Sequence, residues 1–80
     1  MITLHIEFFA ALREQSGLSQ KSIDSESTDA AQVYSELAKE HGFTLTPADL
    51  KLAVNDEFAD WSRTLCDGDR LVFIPPVSGG

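Results

Sequence analysis

The two most apolar segments of the chain lie at its opposite ends, and any fold has to bring them together. Near the start, Ile2, Leu4, Ile6 and Phe8 alternate with Thr3, His5 and Glu7, and near the end Arg70 is followed by the unbroken run Leu71-Val72-Phe73-Ile74. A period of two marks a strand with one face on a core, whereas a short continuous apolar run marks a strand covered on both faces. The economical solution puts the last strand in the middle of a sheet, beside the first. Between them one helix is well marked, because Ala30, Val33, Tyr34, Leu37, Ala38 and His41 recur at helical spacing. Ser27 or Thr28 can cap its first N–H groups, Asp29 sits at the positive end of its dipole, and Gly42 stands where a left-handed closing residue is wanted. The class is α+β, a mixed sheet packed on one main helix.

The remaining elements follow from punctuation. Residues 1–9 form the first strand, Ala10 to Gln15 a short helix closed at Ser16-Gly17, and residues 19–25 an edge strand. Thr46-Pro47-Ala48-Asp49 reads as a loop or single helical turn, Lys51 to Val54 as a short strand, and Asn55-Asp56 as a tight turn. Residues 57–61 pair back, Asp67-Gly68-Asp69 makes a second turn, and residues 70–74 form the final strand.

Composition narrows the function. At 80 residues the chain is one domain without room for a deep active site. No apolar run approaches the ~20 residues that span a bilayer, and the start lacks the basic and apolar regions of a signal peptide, so no membrane association and a cytoplasmic location are expected. A net charge of −7 repels a nucleic-acid backbone and suits a basic protein partner. Cys66, the single cysteine, has no adjacent His or base to lower its pKa and reads as a small buried hydrophobe. His5 lies on the alternate face of the first strand and His41 at the helix end, neither in a metal-ligand pattern. Asp67-Gly68-Asp69 lacks the further oxygens of a calcium loop. Trp61 reads as a partly buried packing residue.

The unusual segment is Pro75-Pro76-Val77-Ser78-Gly79-Gly80. Residues 1–74 are expected to form the domain and 75–80 a flexible, extended C-terminal tail. Proline locks φ and removes a donor, so the chain leaves the sheet extended. Glycine removes every side chain near the Gly80 carboxylate, which is then open to attack and able to pass a narrow channel. The competing reading is a frayed end rich in small residues.

The run Phe73-Ile74-Pro75-Pro76-Val77-Ser78-Gly79-Gly80 resembles the end of the sulfur-carrier small subunits of molybdopterin synthase, a family with the ubiquitin-like β-grasp roll. Phe8-Phe9-Ala10-Ala11-Leu12-Arg13-Glu14, Ala53-Val54-Asn55 and Asp67-Gly68-Asp69 resemble that family's first strand and arginine-bearing turn, its middle strand, and its turn into the last strand. The resemblance implies that Gly80 is the reacting residue, adenylated by a partner like the ubiquitin-activating enzymes and converted by a sulfur donor to a thiocarboxylate. It implies a large subunit that receives the tail to build the molybdopterin dithiolene in a two-by-two heterotetramer. It also implies that Gly79, Ser78, Val77, Pro76, Pro75, Ile74, Phe73 and Arg13 meet partners. No cofactor is expected to be bound permanently, ATP being used by the activating partner, and the chain is a sulfur-donating subunit that is not catalytic alone. Two alternatives remain, a ubiquitin-like modifier joined to lysines and a sulfur carrier for another pathway.

Overall fold

The computed structural model of the chain describes residues 1–75. Its elements run β1 (Ile2–Phe8), α1 (Ala10–Ser16), β2 (Gln20–Ser25), α2 (Ala30–His41), a 3-10 turn (Pro47–Asp49), β3 (Lys51–Val54), β4 (Glu57–Ala59) and β5 (Arg70–Ile74). The strands form one mixed sheet in the order β2-β1-β5-β3-β4, with the last strand at its centre as the end-to-end apolarity requires. β5 is parallel to β1 and antiparallel to β3, while the β1–β2 and β3–β4 pairs are antiparallel.

Register sorts the side chains into two faces. Phe8, Phe73, Leu52 and Ala59 lie side by side across four strands, as do Ile6, Leu71 and Val54 across three. These rows face α2, whose Ala30, Val33, Tyr34 and Leu37 are buried against them. Tyr34 meets Phe73 edge to face at 5.0 Å, and Trp61 stacks on Phe73 at 5.8 Å while meeting Tyr34 edge to face at 6.1 Å. The partly buried packing role expected of Trp61 is the one it has, and it draws the chain out of β4 after Ala59, so the strand is shorter than the expected 57–61.

The ends of α2 show which polar residue does the capping. Asp29 is the N-cap and accepts from the Ala31 amide at 3.0 Å, while the Ser27 hydroxyl accepts from the Asp29 amide at 3.0 Å. Ser27 thus supports the cap instead of forming it. Gly42 closes the helix at φ 71, as its position predicts. Among the described residues no helix is long and apolar enough to cross a membrane.

Candidate functional site

The chain leaves the sheet at the centre of one of its ends. β5 alternates as it approaches that point: Phe73 is fully buried, Ile74 turns to the face opposite α2 and is half-buried, and Pro75 is buried. Hydrogen-bonded neighbours on both sides, β1 and β3, hold this exit in place. The expected site residues Pro76, Val77, Ser78, Gly79 and Gly80 lie outside the described residues.

The face opposite α2 carries a second row, in which Gln20, Glu7, Val72, Ala53 and Phe58 are neighbours across all the strands. Val72 and Ala53 are small or β-branched and nearly covered, so the larger residues around them bound a shallow depression. It forms a groove of about 260 Å3 between Phe9, Phe58, Val72 and Ile74, with Glu7 and Asp56 on its rim. Phe58 is 75% exposed and Phe9 is 47% exposed, unusual values for side chains whose burial is worth ~1.5–3 kcal/mol each. Phe9 keeps an extended backbone, at φ −126, and the chain turns sharply only at Ala10, at φ 49, so the Phe9 ring stays out of the core.

Charge surrounds this apolar floor. The Arg70 guanidinium pairs with Asp56 and lies 3.8 Å from Glu7. Asn55 fixes the same corner, its side-chain oxygen accepting from the Arg70 amide at 3.0 Å. Arg70 neutralises part of the rim, and the acids outnumber it.

The other sequence candidates are dispersed. Arg13 is exposed on α1 and does not line the groove. Cys66, expected to be buried, is exposed, because it opens the turn in which its carbonyl accepts from the Asp69 amide at 3.1 Å. Its amide donates to the Asp69 carboxylate at 2.8 Å, so the backbone and not the thiol fixes this residue. His5 bonds Ser22 through Nδ1 at 2.9 Å, and the His41 ring packs against Phe8 and Phe43, which also touch each other. Among the described residues no group of three His, Cys, Asp or Glu side chains could hold a metal ion. Phe9 and Phe58 were not singled out by sequence reasoning. The available signal was the Asn55-Asp56 turn, whose hairpin register sets Phe58 opposite Ala53.

The arrangement is an apolar groove with an acidic rim beside Ile74 and Pro75, the root of the chain's last residues. A family model described as the ThiS family matches residues 6–80. A "Molybdopterin synthase sulfur carrier subunit" of Drosophila simulans is 34% identical over 85 residues, covering 100% of this chain and 93% of the relative. Two solved structures share the fold. One is a chain of the "Protein-protein complex of subunit 1 and 2 of Molybdopterin-converting factor" from Helicobacter pylori 26695, at TM-score 0.70 and 24% identity, covering 99% of this chain and 100% of that one. The other is the Haloferax volcanii small archaeal modifier protein 1, at TM-score 0.81 and 21% identity, covering 96% and 100%.

Proposed function

The chain belongs to the ThiS family, and from that premise we propose that it is a sulfur carrier, the small subunit of a molybdopterin synthase, reacting through the Gly80 carboxylate. The name of the Drosophila simulans relative supports this reading. The observation that carries it is the placement of the apolar groove beside Ile74 and Pro75. A partner that closes over Phe9 and Phe58 also holds the root of the segment ending in Gly79-Gly80.

The chemistry follows from the carboxylate. Its charge repels nucleophiles, so a partner like the ubiquitin-activating enzymes first joins it to AMP from ATP, releasing pyrophosphate. A sulfur donor then displaces AMP and leaves a thiocarboxylate, a better nucleophile than the carboxylate it replaces. The large subunit takes in the loaded end, the thiocarboxylate sulfur bonds to a carbon of the pterin precursor of the dithiolene, and water cleaves the bond between that sulfur and the Gly80 carbonyl carbon, supplying the oxygen that restores the carboxylate for another round. The chain is a cosubstrate here, with catalysis belonging to its partners. A cytoplasmic location goes with the use of ATP.

Intact-mass analysis of the chain isolated from cells with the pathway intact tests the reading. A fraction with one oxygen replaced by sulfur at Gly80 is expected, and deletion of Gly80 should abolish it while leaving the fold unchanged. Persistent absence of that species when the activating enzyme is supplied overturns sulfur carriage. Isopeptide adducts between Gly80 and lysines would point instead to protein modification.

A further inference from the structure

Among the described residues no strand pairs with the outer edge of β4. Which of its backbone groups point outward follows from its neighbours. The Asn55 amide donates to the Arg70 carbonyl at 2.9 Å, across from β3 to β5. Hydrogen-bonding direction alternates along an antiparallel ladder, so Ala53, two residues earlier, also turns its N–H and C=O toward β5. Phe58, which faces Ala53 across the β3–β4 pair, is therefore at a non-bonded position and presents both backbone groups away from the sheet.

A groove of about 390 Å3 runs beside this edge, lined by Leu50, Leu52, Phe58, Asp60 and Trp61. Leu52 and Trp61 belong to the side that faces α2, and Phe58 to the opposite side. The groove thus wraps the rim of the sheet. An added strand needs that shape, because its successive side chains point to opposite faces. Glu57, Asp60 and the nearby Asp56 are exposed along the rim. A second copy of this chain, itself at net charge −7, would bring like charges together there. The groove also lies at the exit end of the sheet, where Lys51 is opposite Ile74, within reach of the protein that takes the chain's last residues.

We propose that β4 is a strand-addition site: an extended strand of the synthase large subunit pairs with the Phe58 backbone. It sets an apolar side chain against Leu52 and Trp61 and a Lys or Arg against Asp60 and Glu57. The proposal rests on the sulfur-carrier reading and adds how the tail-receiving partner is recognised.

Amide hydrogen exchange followed by NMR, with and without recombinant large subunit, tests it. The Phe58 amide should exchange freely in the isolated chain and slow by at least about tenfold in the complex. Because that N–H makes no bond to β3, F58P removes it without breaking the ladder. F58P should weaken the complex about tenfold beyond F58A, which removes only the ring. The wild-type exchange measurement decides alone should F58P fail to fold. A complex in which the Phe58 amide stays unprotected, or equal affinities for the two variants, overturns strand addition and leaves sulfur carriage standing. No complex at all also overturns it, and only the added absence of a thiocarboxylate on Gly80 removes the reading beneath.

Discussion

Asn55 ties the β3–β4 turn to the start of β5. It sits at φ 52 and Asp56 at φ 71, the paired left-handed residues of a tight hairpin turn, a conformation that costs asparagine less than alanine. Its side-chain amide donates to Asp69 at 2.9 Å while its side-chain oxygen accepts from the Arg70 amide at 3.0 Å. Asp69 is a buried carboxylate and needs that donor. N55A is expected to cost about 2–3 kcal/mol, from lost bonds together with turn strain, measured by urea unfolding. Tyr34 offers a second test, since its hydroxyl donates to the Leu45 carbonyl at 2.7 Å. Burial first, and then the Asp49 charge, push its pKa above the ordinary 10.0. The folded chain therefore holds this proton more firmly than the unfolded one. The associated stability is fully present below about pH 10 and is lost as pH rises through the folded value. Y34F should lose about 1 kcal/mol at neutral pH and flatten the alkaline decline, as read from urea unfolding across that range.

At the scale of elements, what was legible in the sequence is what local pattern determines. The alternation of Ile2 to Phe8 gives β1, the stripe from Ala30 to His41 gives α2, and the apolar run gives β5 at residues 70–74, within a residue or two of the observed bounds. The central place of β5 could be inferred because only a strand with neighbours on both sides justifies so apolar a run. Choices among adjacent polar residues were less legible. Glu26-Ser27-Thr28-Asp29 contains several competent caps, and the one used is set by where the chain turns after β2. Trp61 leaves the β4 line because Phe73, distant in sequence, offers it a stacking surface. The candidate site divides the same way. Its proposed reacting end is written in consecutive residues, Pro75 to Gly80, whereas the groove is assembled from Phe9, Ala53, Phe58, Val72 and Ile74 on three strands and the loop after β1. No short stretch of sequence carries that register.

For the molecule as a whole, the central strand and the acidic surface divide the work of a carrier. β5 is clamped by ladders on both sides up to Phe73 and by β3 at Ile74, so a partner can grip the chain beyond it without prying open a sheet edge. The apolar groove beside that exit supplies contact area, but its two exposed phenylalanines give little orientation during approach. Orientation falls to charge: thirteen acids against six bases set up a field that reaches farther than any apolar contact. Arg70 strengthens the argument, because its pairing with Asp56 and Glu7 keeps a lone cation from facing a basic partner across the groove. Association with the large subunit should accordingly be steered and sensitive to salt, with dissociation governed by the groove. Raising ionic strength from about 0.05 to 0.5 M shortens the screening length severalfold and is expected to lower the association rate about tenfold while changing the dissociation rate little, as stopped-flow mixing would show. An association rate indifferent to salt would mean that the charge serves solubility and that the apolar groove alone selects the partner.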